Sequence, residues 1–224
     1  MSDIARVVLI GFSGTGKSTT ARLLAERLGW SWVDTDDEIE GHWGTSIPAI
    51  FRDYGEPAFR ASEREALVRA LRRDGVVIAS GGGAVVADDA WGADALGSSG
   101  TLVIALDAHP ETMLGRLRLQ AEAEGDAVER PMLAGDDPLG RIRNLKETRE
   151  AAYGRAALTV SSDGFSADEL ADEVAAVVRA ASGDGFSLRL DALSASSDIL
   201  IGPGIVSRIG GEARNRWPKA RRAW

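Results

Sequence analysis

The sequence predicts an α/β protein: a five-stranded parallel sheet with helices on both faces, followed by a short C-terminal extension. Three observations predict it. Short, nearly continuous apolar runs such as Arg6-Val7-Val8-Leu9-Ile10 fit strands buried on both faces, because a strand with one wet face would alternate polar and apolar residues. Segments with apolar residues at helical spacing separate these runs, and strands alternating with helices pair in parallel through crossovers. The chain has 224 residues, 44% hydrophobic and 27% charged, which suffices for a real core and excludes a disordered or collagen-like chain.

The elements follow in order. After the first strand and a glycine-rich turn, Lys17 to Leu28 places Ala21, Leu24, Ala25 and Leu28 at helical spacing and stops at Gly29, a favourable C′ residue. Trp32-Val33 is a second short strand. Ser46 stands as N-cap of a helix through Phe51, and Phe59 to Leu71 forms another. Val76-Val77-Ile78-Ala79, Leu102 to Leu106 and Leu158-Thr159-Val160 complete the strands, with helical patterns near 110–119 and 138–153 between them. The last helix opens on Ser166-Ala167-Asp168-Glu169, a capping box whose hydroxyl and carboxylate satisfy otherwise orphaned backbone N–H groups.

Composition narrows the function. A formal charge of −8 disfavours bulk attraction to nucleic acid or anionic lipid. With no cysteine there is no disulfide framework, thiol nucleophile or cysteine-ligated metal. Two isolated histidines, His42 and His109, fit surface or capping roles. Met1 to Arg6 lacks the pattern of a signal peptide, and no apolar run approaches the roughly 18 residues of a membrane span. The expectation is a cytoplasmic protein without nucleic-acid or membrane partners.

Gly11-Phe12-Ser13-Gly14-Thr15-Gly16-Lys17-Ser18 fits G-x-x-x-x-G-K-[ST] between a buried strand and an amphipathic helix. Glycines allow successive N–H groups to turn inward around a phosphate, and the helix that follows adds its positive end. Gly14, Thr15, Gly16, Lys17, Ser18 and Thr19 are therefore candidate ATP contacts. Lys17 is expected to bridge the β- and γ-phosphates, and the Ser18 hydroxyl to ligate Mg²⁺. No Asn-Lys-x-Asp guanine reader occurs, and the chain is too short for a mechanical ATPase. A small-molecule kinase needs a second pocket with a carboxylate to orient a hydroxyl and cations for the transferring group.

Asp34-Thr35-Asp36-Asp37 follows the second strand, at the sheet edge where ligands of open α/β sheets bind. In extended chain residues 34 and 36 point the same way, so one carboxylate can face a metal and the other an alcohol. Alternatively Asp36 or Asp37 merely caps the next helix. Arg130 lies in a polar stretch, about 117–137, that suits a mobile lid between two helices.

These residues, with Phe59-Arg60, Gly81-Gly82-Gly83, Arg130-Pro131-Met132-Leu133, Arg149 and Tyr153 in the same order, resemble the shikimate kinase family over nearly all of residues 5–180. The resemblance implies a P-loop kinase of the nucleoside-monophosphate-kinase-like group that phosphorylates the 3-hydroxyl of shikimate with ATP and Mg²⁺, in aromatic amino-acid biosynthesis. It implies substrate binding by Asp36, Phe59, Arg60, Gly81, Gly82, Gly83 and Arg149. Asp36 would accept the hydroxyl proton, Asp34 would stand near Mg²⁺ with Ser18, Arg116 would stack on adenine and Arg130 would close over the phosphates. Guanidinium forks suit a planar carboxylate, which fits Arg60 and Arg149 to that task. The alternatives are another small-molecule kinase of this fold, such as a gluconate kinase, or a non-catalytic nucleotide-binding switch.

The kinase-like region is expected to span 1–181, with a small, polar linker at 182–185. Residues 186–224 carry seven basic residues against three acidic ones and are expected to be loosely ordered. Phe186 to Leu190 and Ile199 to Val206 are strand-like and resemble the opening hairpin of 3-dehydroquinate synthase, as if a fused second enzyme were cut short; the alternative is an extension private to this chain. A monomer is expected unless the tail belongs to such a fusion.

Overall fold

A computed structural model describes residues 4–124, 136–182, 186–191 and 196–201. The chain divides into two compact units, Ile4–Ala175 and one that takes in Ala176 onward. In the first, β1 (Arg6–Ile10), β2 (Ser31–Asp34), β3 (Val76–Ala79), β4 (Thr101–Asp107) and β5 (Leu158–Ser161) form one sheet in the order β2-β3-β1-β4-β5. Every neighbouring pair is parallel, with Leu9 opposite both Ala79 of β3 and Ile104 of β4. The helices are α1 (Lys17–Leu28), α2 (Thr35–Trp43), α3 (Ile47–Ala70), α4 (Pro110–Glu124), α5 (Pro138–Tyr153) and α6 (Ala167–Ala181). Among the described residues, no helix is long and apolar enough to cross a membrane.

Burial explains the strand pattern. All of β3 is buried, and so is β1 from Val7 onward, as two covered faces require. Val8, Ile10, Val33, Ile78, Val103 and Ala105 form one core cluster with Leu67 and Ala70 of α3 and with Leu71, which caps that helix, while α1 packs against β2 and β3. Because β1 is central and the chain winds first to one side and then to the other, the carboxyl ends of β1 and β3 lie at the point where the winding direction reverses.

Three local departures from expectation have identifiable causes. The two helices expected over 46–51 and 59–71 are the arms of α3, broken at Gly55, whose φ of 80° and ψ of 169° are non-helical. Gly55 tolerates that conformation, and Pro57 has no N–H to continue the ladder. Helix α4 runs to Glu124 instead of ending near 119, because Leu119 to Glu124 are all good helix formers; that part of the expected lid is helix. Asp36 lies in the first turn of α2 and not in extended chain, because Asp34 ends β2 and caps the helix, its Oδ1 accepting from the Asp36 N–H at 2.9 Å. The capping box at Ser166 forms: Glu169 Oε2 accepts from the Ser166 N–H at 2.8 Å and Ser166 Oγ from the Glu169 N–H at 3.3 Å.

In the second unit, β6 (Phe186–Asp191) and β7 (Ser196–Ile201) pair antiparallel, with Phe186 opposite Ile201. Residues 202–224, and Arg130 with the rest of 125–135, lie outside the described residues.

Candidate active site

The phosphate loop is shaped by glycine. Gly11, Gly14 and Gly16 have φ of 139°, 83° and 94°, which side chains rarely adopt. At two of them there is also no room: a methyl at Gly11 would stand 2.2 Å from Leu106 O, and one at Gly14 2.9 Å from Met113 O. The Thr15 hydroxyl and the Lys17 ammonium each donate to Phe12 O at 2.8 Å and close the loop. Helix α1 starts at Lys17 with Gly16 as N-cap and no side-chain cap, so its first N–H groups are free for an anion.

A cavity of about 980 Å³ opens over this loop, lined by Gly14, Thr15, Gly16, Lys17, Ser18 and Thr19, by Asp34, Asp36 and Ser80, and by Arg116 and Phe165. Ser18 Oγ donates to Asp34 Oδ2 at 2.5 Å. These two oxygens suit a hard cation such as Mg²⁺, which keeps most of its shell as water and phosphate, and among the described residues no cluster of three or more acidic, histidine or cysteine ligands competes for a metal. Arg116 donates to Gly14 O at 3.3 Å and to Ser162 Oγ and O at 2.8 Å each, tying the phosphate loop to the end of β5.

The electrostatics of the loop are set by burial. Burial lowers the Lys17 ammonium from 10.5 to about 8, with Arg149 pushing the same way, against the pull of Asp36 and Asp34. Burial, then the Asp34 charge, raises the Asp36 carboxyl from 3.8 to about 7, with Glu63 and Asp37 adding and Lys17 opposing. Asp36 Oδ1 is buried and bonded to no protein group. A buried acceptor oxygen beside a triphosphate loop, titrating near neutrality, is suited to take a proton from a substrate.

A second cluster forms around Gly81-Gly82-Gly83, one residue beyond the end of β3. A methyl at Gly81 would lie 2.7 Å from both Asp36 Oδ1 and Glu63 Oε1. At Gly82 it would lie 3.2 Å from an Arg149 guanidinium nitrogen and 3.4 Å from Gly11 O, and at Gly83 only 2.1 Å from an Arg60 guanidinium nitrogen. Three consecutive Cα atoms span less than about 8 Å. Asp36, Arg149, Arg60 and the phosphate loop therefore gather at one short backbone segment. Arg149 and the Tyr153 hydroxyl both donate to Gly82 O, at 3.1 and 2.7 Å, and the Arg149 guanidinium sits 5.4 Å from the centre of the Phe12 ring. A cavity of about 670 Å³ opens beside them, lined by Arg60, Glu63, Arg64, Gly83, Ala84 and Arg149 among others.

Sequence reasoning missed two residues here. Glu63 is 2% exposed and pairs with Arg60, which also bonds Glu56 at 3.0 Å. Burial raises its carboxyl, against the Arg60 pairing. The available signal was its position three and four residues before Ala66 and Leu67, which puts a charge inside the apolar stripe of α3. Thr35, fully buried, accepts from the Gly81 N–H at 2.8 Å. Phe59 is 5% exposed, in the cluster of Ile39, Ile50 and Ala66, and lines neither cavity; it meets the site through Arg60, whose guanidinium is 5.4 Å from its ring centre.

A phosphate loop at a strand–helix turn, with the Asp36 carboxylate and the Arg60 and Arg149 guanidinium groups gathered at the glycine segment beside it, defines a P-loop small-molecule kinase. Residues 13–179 match the family model described as shikimate kinase, and the chain belongs to that family. A shikimate kinase of Symbiobacterium thermophilum is 42% identical over 75% of this chain and 92% of its own length. The shikimate kinase of Acinetobacter baumannii, solved in complex with shikimate, superposes with a TM-score of 0.69 at 31% identity, over 78% of this chain and 93% of that one. A gluconokinase from Sinorhizobium meliloti 1021 reaches a TM-score of 0.51 at 18% identity, over 82% of this chain and 97% of that one, and shares the fold alone.

Proposed function

We propose that this chain transfers the γ-phosphoryl group of ATP to the 3-hydroxyl of shikimate, with the following division of labour. The carrying observation is the convergence of Asp36, Arg149 and Arg60 on three successive glycines that also touch the phosphate loop. Arg60 and Arg149 hold the acceptor's carboxylate, which fixes the ring. The glycines let the backbone approach that ring without a side chain between. Asp36 accepts the hydroxyl proton as the oxygen forms its bond to the γ-phosphorus and the bond to the bridging oxygen of ADP breaks. Lys17 and the α1 N-terminus stabilise charge on the transferring group and on the departing diphosphate. Arg116, which lines the phosphate cavity, serves the adenine side, and Arg130 serves the phosphates.

Ser18 and Asp34 are the residues that would hold Mg²⁺, which when bound neutralises charge on the β- and γ-phosphate oxygens. All assigned residues fall within 14–149, so we assign the kinase to residues 1–181. Truncation after residue 185 should leave turnover within about two-fold, checked by steady-state kinetics. The reading is tested by a coupled ADP-release assay with a panel of hydroxy acids and polyols. Turnover with shikimate is expected; turnover with gluconate but not shikimate, or ATP binding with no acceptor phosphorylated, would overturn it.

A further inference from the structure

The glycine segment is held from two sides. On one, Arg149 and Tyr153 grip the Gly82 carbonyl. On the other, the Thr35 hydroxyl receives the Gly81 N–H in a fully buried bond. That bond has a topological cause. Successive amides of a strand point to opposite neighbours, and the Ser80 N–H bonds Leu9 O of β1, so the Gly81 N–H faces β2. Strand β2 ends at Asp34, opposite Ala79, and the chain turns into α2 at Thr35. From there the backbone carbonyls of this segment are committed to the helix. The Gly81 N–H would be an orphan in the core, and the Thr35 side chain replaces the missing ladder acceptor.

The replacement sits between the two acidic residues of the site. Asp34, one residue earlier, receives Ser18 Oγ and the Asp36 N–H. Asp36, one residue later, lays its unbonded Oδ1 where a Gly81 side chain would be. The dipeptide step from Asp34 to Asp36 is thus fastened to the first glycine by one hydroxyl. We propose that Thr35 is a positioning residue, whose hydroxyl sets the distance between the Asp36 carboxylate and the glycine segment and so registers the acceptor against the phosphate loop. This deepens the kinase reading and rests on it. Valine at 35 would keep the shape, delete the acceptor and leave the Gly81 N–H unpaired in an apolar setting; serine would keep the acceptor and lose only a methyl group.

The test compares Thr35→Val, Thr35→Ser and wild type in full-length protein. Thr35→Val is expected to lower kcat/KM for shikimate by about 30-fold, through both kcat and the acceptor KM, with ADP affinity within about two-fold, since misplacement of reacting groups by an ångström can cost about a hundredfold. Thr35→Ser is expected to recover all but about three-fold. Amide hydrogen exchange at Gly81 should accelerate in the valine variant and stay near wild type in the serine variant. If valine prevents folding, Thr35→Ala, which deletes the acceptor without adding a methyl, carries the same expectations. Valine kinetics within about three-fold of wild type, serine as impaired as valine, an equal loss of nucleotide binding, or unchanged Gly81 exchange would each overturn the proposal. A wild type inactive on shikimate would instead overturn the proposed function, and Gly81 exchange would still decide the tie.

Discussion

In the phosphate loop the shape is made by backbone: three glycines at positive φ, a helix with no side-chain cap, and one lysine folded back onto Phe12 O. On the other side the groups are side chains from three distant segments, Asp36 on α2, Arg60 and Glu63 on α3, and Arg149 and Tyr153 on α5, arranged around glycines that offer only space. The first region is specified within eight consecutive residues and can be built wherever a strand feeds a helix. The second exists only once the sheet order has brought β2, β3 and the kinked α3 together. A loop that binds phosphate can therefore be shared by many enzymes, while in the proposed mechanism the packing around Gly81–Gly83 decides which alcohol is presented to it.

Substitutions can separate the two regions. The largest loss is expected for Lys17→Met, about 10³-fold in kcat, because in the proposed mechanism the lysine acts on the transferring group whichever acceptor is bound; single-turnover phosphoryl transfer measures it. Asp36→Asn should cost roughly 10²-fold in kcat with ADP affinity nearly unchanged, measured by steady-state kinetics beside calorimetry. Wild-type kcat/KM should fall as pH drops through about 7, where the Asp36 carboxylate takes up a proton, and fall again above about 8, where Lys17 loses one.

Asp36 also has a signature in stability. Its folded value of about 7 lies above the ordinary 3.8, so the folded state binds the extra proton. The stability linked to that proton is intact below about 4 and is lost as pH rises through about 7. Asp36→Asn should therefore raise the melting temperature at pH 8 and lose that advantage at pH 4, read by calorimetry. A catalytic loss paired with a stability gain marks a group strained for function and not for packing.

Smaller effects belong to the acceptor side alone. Gly83→Ala places a methyl 2.1 Å from the Arg60 guanidinium, a flexible group that can swing away. The protein should fold normally, with KM for shikimate raised about tenfold and KM for ATP unchanged. Tyr153→Phe deletes one of the two donors to Gly82 O and should raise the acceptor KM about three-fold.

The contrast between the regions also governs what the sequence could reveal. The phosphate loop and the strand–helix alternation were legible because each rests on short-range pattern: β-branched runs, a fixed glycine spacing, a capping box. Arg60, Arg149 and the three glycines were legible through resemblance, since nothing in an isolated helix distinguishes Arg60 from any solvent-facing arginine. Asp36 was singled out, but in an extended chain; the cap formed by Asp34 turns it into a helix and brings its carboxylate to Gly81. Thr35 was illegible because its proposed role exists only where β2 stops opposite Ala79, two residues short of the glycines that follow β3. Glu63 was half-legible, a charge in an apolar stripe that needed Arg60 and Gly81 beside it to make sense.

The most direct test is a crystal structure of the chain with ADP and shikimate bound together. The account predicts the acceptor carboxylate on the Arg60 and Arg149 guanidinium groups, its ring against Gly81–Gly83, and its 3-hydroxyl between Asp36 Oδ1 and the β-phosphate end of ADP above Lys17. Shikimate seated elsewhere, or held with its hydroxyl turned away from Asp36 and the diphosphate, would contradict it.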